Sequence, residues 1–230
     1  MNSLVLLNGS PRGERSNSMK MLAWVAEGWQ RGGGAPPEVL YLARRAQFQR
    51  AIEAFASAHT VLLGMPLYTD AMPALVKSYI EALAPRVAAA RTGAANPALA
   101  FLVQSGFPEA LHSRPLERYL EKLACRLGSP YAGTIVRGGA GALQATPDDA
   151  NKKLRARLRT LGEQLAREGH FDNEELKVIA GVERLSPFTA VVTGWIFKLP
   201  VTQFHWNRDL RKNGAWERRF AAPYTAAFNG

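Results

Sequence analysis

Between an apolar run, Leu4-Val-Leu-Leu7, and a helical pattern that starts near Asn17, the chain places Asn8-Gly-Ser-Pro-Arg-Gly-Glu-Arg-Ser-Asn-Ser18, which gathers hydroxyls, amides and an arginine in one short loop. Such a set can hold an anion. Backbone N–H groups at a helix start carry partial positive charge. Ser10, Ser16, Asn17 and Ser18 can donate hydrogen bonds to phosphate oxygens, and Arg12 can neutralise their charge. The loop lacks the Gly-Lys-Ser/Thr of a nucleoside-triphosphate loop and the Gly-x-Gly-x-x-Gly of a dinucleotide fingerprint, so a monophosphate suits it better. The same residues also satisfy a purely structural reading, in which Ser16 or Asn17 caps the helix while Gly9 and Pro11 make a turn.

A second segment, Gly64-Met-Pro-Leu-Tyr-Thr-Asp-Ala-Met-Pro-Ala-Leu-Val-Lys77, continues from another apolar run. Prolines with one aromatic residue can present a fixed, largely apolar wall, and its backbone groups can hydrogen-bond the polar edge of a planar ring. Tyr68 alternatively reads as a half-buried aromatic at a strand end, and Asp70 as a cap for a helix beginning near Pro73. Two further loops fall at equivalent places, Gln104-Ser-Gly-Phe-Pro-Glu109 and Arg137-Gly-Gly-Ala-Gly141. Gly106 allows close backbone approach and Phe107 offers a stacking face, though simple turns account for both loops as well.

The elements that must position these loops alternate. Strands are predicted over Ser3 to Asn8, Val39 to Ala43, Thr60 to Met65, Ala98 to Gln104 and Ala132 to Arg137. Helices are predicted from about Asn17 to Arg31, Ala46 to Ala58, Pro73 to Leu83, Leu111 to Leu127 and Asp148 to Glu168. Turn-rich stretches at Gly32–Pro37 and Thr92–Pro97 precede the second and fourth strands. This rhythm is that of a doubly wound parallel α/β sheet covered by helices on both faces, whose ligands lie at the carboxyl ends of the strands.

On these two motifs, in this order and separation, the chain resembles the NADPH-dependent FMN reductase and NAD(P)H quinone reductase branch of the flavodoxin-like superfamily. Asn8-Gly-Ser-Pro-Arg12 with Ser16-Asn-Ser18 is similar to that family's FMN phosphate loop, and Gly64 to Lys77 to its loop beside the isoalloxazine ring. The resemblance implies a flavodoxin-like five-stranded sheet of order 2-1-3-4-5 over residues 1–168. It implies that Ser10, Arg12, Ser16, Asn17 and Ser18 bind phosphate. Pro66, Leu67, Tyr68, Thr69 and Asp70 then line the flavin, and Ser105, Gly106, Phe107 and Gly139 complete the ring pocket. FMN would carry the redox chemistry without a catalytic side chain. NADPH or NADH would be the donor, and a quinone, nitro or azo compound, or free flavin, the acceptor, by ping-pong hydride transfer. It further implies a homodimer, with the apolar stretch from Val191 to Phe197 as a candidate contact. An electron-transfer flavodoxin and a scaffold binding anionic surfaces are the alternatives.

Composition bounds the rest. With 230 residues and 47% apolar composition, one substantial core is expected. Twenty-nine Lys and Arg against 19 Asp and Glu give a formal charge of +10, which favours anionic partners without specifying nucleic acid. A single cysteine, Cys125, cannot build a disulfide framework or a Cys-rich metal site, and the four histidines show no metal-ligand spacing, so no metal is expected. Leu4–Leu7 is too short for a signal-peptide core and has no basic residue ahead of it, so a cytoplasmic setting is expected. Residues 169–230, with Trp195, Trp206 and Trp216 beside Arg and Lys, break the alternation. They are expected to form a helical or irregular extension that packs on the core or a dimer partner, peripheral membrane contact being the less favoured role.

Overall fold

The computed structural model describes residues 3–86, 96–141, 143–144, 146–197 and 204–222. Five strands, β1 (Leu4–Asn8), β2 (Glu38–Tyr41), β3 (Thr60–Pro66), β4 (Ala98–Gln104) and β5 (Tyr131–Arg137), form one sheet of order β2-β1-β3-β4-β5, and every pairing is parallel. The helices connecting them are α1 (Asn17–Arg31), α2 (Arg45–Ser57), α3 (Ala74–Ala82) and α4 (Arg114–Arg126). After β5 come α5 (Lys152–Glu168) and α6 (Asn173–Ala180). Part of the turn predicted at Thr92–Pro97 lies outside the described residues.

The period-two alternation of side chains sends neighbouring apolar residues of each central strand to opposite faces. Val5, Leu7, Leu63, Met65, Phe101 and Val103 pack with Phe55, Tyr79 and Leu120 from α2, α3 and α4. Leu4, Leu6, Leu62, Ala100 and Leu102 pack on the other side with Trp29 and Leu161 from α1 and α5. The crossover from β1 to β2 runs through α1 and the next runs through α2 on the opposite face, so the chain reverses its winding direction between β1 and β3. That reversal opens a crevice beyond Asn8 and Pro66.

Two glycines let α1 and α5 approach closely. A Cβ on Gly28 would lie 1.9 Å from the Arg159 carbonyl oxygen, and one on Gly162 would lie 2.1 Å from that of Val25. Beside this contact Glu27 pairs with Arg155, Nη2 to Oε1 at 2.8 Å, and with Arg159. Desolvation by burial pushes the Glu27 carboxyl up, but the hydrogen bonds and charges of the two arginines outweigh it and hold it below the ordinary glutamate range. A depressed folded pKa stabilises the protein above the unfolded value, and the contribution is lost as pH falls through the folded value. Glu27→Gln should therefore cost about 1 kcal/mol near neutrality, screening by solvent being appreciable at this half-exposed site. The gap between variant and parent should close in acid, as read from urea midpoints across pH.

The chain divides into two compact units, Met1–Arg184 and Leu185–Gly230. The first unit thus takes in residues that sequence analysis assigns to the extension after Glu168. The reason lies in β5, where a register shift between Leu99 and Ala100 leaves the Ala132 carbonyl free to accept the Phe171 amide at 2.9 Å. Phe171 and Ile179 are consequently buried in the core. The second unit contains α7 (Pro187–Phe197) and α8 (Phe204–Lys212). Among the described residues no helix is long and apolar enough to cross a membrane.

Candidate functional site

Asn8, at the carboxyl end of β1, organises the loop beyond it. Its side-chain oxygen accepts the Ser10 amide at 2.9 Å, while its nitrogen donates to the Gly13 carbonyl at 2.8 Å and to the Ser16 hydroxyl at 3.2 Å. Asn8 is buried, and nothing in the motif itself announces this organising role. Gly13 turns the loop with φ 57°, in the left-handed region that glycine adopts without penalty. Ser16 then caps α1, accepting the Met19 amide at 3.1 Å. The capping role read from sequence is thus realised at Ser16, in a residue that also borders the crevice.

A cavity of about 170 Å³ lies at this switch point. One end is lined by Ser10, Arg12, Ser16 and Asn17 from the first loop, and the other by Pro66, Leu67 and Tyr68 after β3 and by Gln104, Ser105 and Gly106 after β4, with Gly141 also present. The donor set fits a phosphate group, because Ser10 and Ser16 bring hydroxyls, Arg12 brings a cation, and Asn17 begins a helix whose first N–H groups have no partner within the helix. The other end fits a planar ring. A Cβ on Gly106 would meet no atom within 4 Å, so there is open space above the β4 loop. A side chain on Gly9, by contrast, would meet Val76 Cγ2 at 2.4 Å, and the Gly9 amide is bonded to the Gly64 carbonyl at 2.7 Å, which ties the first loop to β3.

Five of the residues that the family pattern implies lie outside this lining: Ser18, Thr69, Asp70, Phe107 and Gly139. Ser18 is fully buried beneath the cavity and its hydroxyl accepts from Gln104 Nε2 at 3.3 Å. Gly139, at φ 68°, donates to the Phe107 carbonyl at 2.6 Å and braces the β4 loop from behind. Asn17 does line the cavity, but its side chain is committed to the β5 loop, donating to the Ala140 carbonyl at 2.6 Å and accepting from the Gln144 amide at 3.1 Å.

Thr69 and Asp70 occupy the tip of a tight turn, at φ 48° and 60°, closed by reciprocal backbone bonds between Tyr68 and Ala71 at 2.9 and 3.0 Å. Two successive positive φ values define a type I′ turn, and a β-branched residue there is strained. The cap expected of Asp70 is not formed, since the N-cap of α3 is Pro73 and no side chain caps it. Thr69→Gly should raise stability by about 1 kcal/mol, the relieved strain exceeding the added chain entropy; a lower urea midpoint would show that the turn is unstrained.

Phe107 follows the lining residue Gly106 and is 52% exposed, with its ring centroid 4.7 Å from that of His112. His112 Nε2 lies 3.3 Å from Glu109 Oε2, and Nδ1 lies 3.9 Å from Asp70 Oδ1, so the loops after β3 and β4 meet through it. The turn Ala110–Ser113 that carries His112 is fixed by Arg114, which chelates Glu183 and reaches Glu117 at 2.7 Å. The hydrogen bond from Arg114 holds the Glu183 carboxyl below its ordinary range. Glu109 and Phe107 lie close to His112 in the chain, but Asp70 is brought to it only by the fold. Among the described residues no group of three or more His, Cys, Asp or Glu is gathered to hold a metal ion.

A family model described as a flavodoxin-like fold matches residues 2–165. No curated protein sequence matches the chain. Many solved structures resemble it at low identity, among them three oxidoreductases. An NADH:FMN oxidoreductase in its apo form is 18% identical with a TM-score of 0.55, covering 82% of this chain and 98% of its own. An FMN-dependent NADH-azoreductase from Bacillus anthracis, in complex with FMN, is 16% identical with a TM-score of 0.54, covering 72% and 100%. An NADPH-quinone reductase from P. pentosaceus is 18% identical with a TM-score of 0.52, covering 73% and 99%. With the sheet order, the winding reversal at β1 and β3 and the family match over most of its length, this chain belongs to the flavodoxin-like fold family.

Proposed function

We propose that the chain is an FMN-dependent NAD(P)H oxidoreductase that reduces a small acceptor such as a quinone, a nitro or azo compound, or free flavin. The observation that carries this reading is a phosphate-type donor set and open space beside Gly106 in one cavity at the winding reversal of the sheet. The activities named for the structural neighbours support it. Ser10, Arg12 and Ser16 hold the phosphate, and Pro66 to Tyr68, Ser105 and Gly106 frame the ring. Bound FMN supplies a centre that accepts hydride from NADPH or NADH and returns electrons to the acceptor.

The protein's own part is binding and orientation. Tyr68 and Phe107, both about half exposed, offer aromatic faces on which nicotinamide and acceptor can stack in turn. His112, with Glu109 and Asp70 placed to orient it, packs against the Phe107 ring and fixes its position. The enzyme is read as a cytoplasmic homodimer, and the exposed, unpaired Cys125 suits a reducing compartment.

Alternating occupation predicts parallel lines when NADPH or NADH is varied at several fixed concentrations of a quinone acceptor. Intersecting lines would mean that donor and acceptor bind together and would contradict the shared site.

A further inference from the structure

The second unit has a composition that a water-facing packing element does not need. Helix α7 (Pro187–Phe197) contains no charged residue and is apolar on every side, so one packing face cannot cover it. Phe188, Val191, Trp195 and Ile196 are exposed, Phe188 at 79% and Trp195 at 72%. At 11 residues the helix is about 16 Å long, half the hydrocarbon thickness of a bilayer. Such a length is too short for this helix to span the hydrocarbon layer.

The chain beyond α7 is basic and aromatic. In α8 the 100° spacing of successive residues sets Arg208, Arg211 and Lys212 on one face and Trp206 with Leu210 on the other. Past α8, Arg211 and Arg219 stack over the Trp216 ring at 4.3 and 3.9 Å, and Arg219 also lies 4.8 Å from the Phe220 ring. Residues 185–230 hold six basic side chains, Lys198, Arg208, Arg211, Lys212, Arg218 and Arg219, against the acidic Asp209 and Glu217.

We propose that this unit is a docking element for an anionic bilayer surface, with α7 lying in the interfacial region of one leaflet, the tryptophans at headgroup level and the arginines on lipid phosphates. Apolar burial and charge attraction are the two terms by which interfacial helices bind, and both are present here. A second copy of the chain is the poorer occupant. A two-fold contact through this unit would bring two like-charged basic segments together, whereas an anionic surface complements them.

Lipid binding by this unit is independent of any flavin chemistry. The test is flotation of the full-length protein with vesicles of phosphatidylcholine alone, or of equal parts phosphatidylcholine and phosphatidylglycerol, read together with tryptophan emission. The expected result is co-flotation and a blue shift with the anionic vesicles only, weakening as salt rises. Trp195→Glu should reduce binding at least tenfold. Replacing Arg208, Arg211 and Lys212 by Gln should reduce it roughly a hundredfold, each basic residue near the surface being worth about fivefold. Far-UV circular dichroism of both variants establishes that the fold is kept. Protein remaining in the aqueous fraction, equal binding to neutral vesicles, or retention by both variants would overturn the proposal. So would self-association that Trp195→Glu abolishes in the absence of lipid binding.

Discussion

Gly28→Val is expected to lower stability by about 3 kcal/mol or more, because its first side-chain carbon would fall 1.9 Å from a backbone oxygen of α5 rather than against a movable side chain. Gly162→Val should behave alike, since its Cβ would meet the Val25 carbonyl at 2.1 Å. The two glycines face each other across one contact, so once the first substitution has forced the helices apart the second should cost much less, and the double variant should fall well short of additivity. Urea midpoints with unchanged slopes measure this. A change below about 1 kcal/mol at Gly28 would mean that α1 and α5 are free to separate. The effect should reach the candidate site, because α1 carries Ser16 and Asn17 at its first turn and its displacement moves the loop they anchor.

The second large effect concerns the cofactor. Arg12→Ala and Ser10→Ala should each weaken FMN binding about tenfold to a hundredfold, the range expected for one hydrogen bond to a charged group. Riboflavin has the same ring and no phosphate, so its affinity should not change in either variant. Ser16→Ala should differ in kind. It removes a cavity hydroxyl and also the α1 cap, and should therefore lower the unfolding temperature through about 1 kcal/mol of lost capping as well as weaken FMN. Flavin fluorescence quenching by each variant reads the affinities. Equal losses for FMN and riboflavin would place Arg12 beside the ring instead of the phosphate.

Much of the fold was legible because it rests on local, periodic signals. The continuous apolar runs at Leu4–Leu7, Val61–Met65 and Leu99–Val103 are those of strands buried on both faces, and the limits of α1 coincide with the pattern from Asn17 to Arg31. Boundaries slipped where the element is weakly specified. The edge strand β2 is only partly buried and runs Glu38–Tyr41, earlier than its apolar pattern indicates. The helical patterns from Leu111 and Asp148 begin as short 3₁₀ turns, so α4 and α5 proper start at Arg114 and Lys152.

At the candidate site, the two loops could be recognised because each carries its polar and proline residues contiguously. What escaped notice depends on partners remote in sequence. Gly28 and Gly162 look like ordinary poor helix formers until they are seen to share a contact, and Ser18 reads as a donor like its neighbours until Gln104 is found above it. His112 likewise gains part of its setting from Asp70, on the loop after β3. The left-handed turn at Thr69 and Asp70 carries no glycine, so nothing in the residue types announces it.

That this chain holds FMN and turns it over with a nicotinamide donor is tested most directly by the visible spectrum of the protein. The protein is loaded with FMN, freed of excess, and observed before and after NADPH or NADH is added without oxygen. A bound two-banded flavin spectrum that bleaches within the mixing time with one of the donors is the predicted result; protein that retains no FMN, or bound flavin that stays oxidised with both donors, would contradict it.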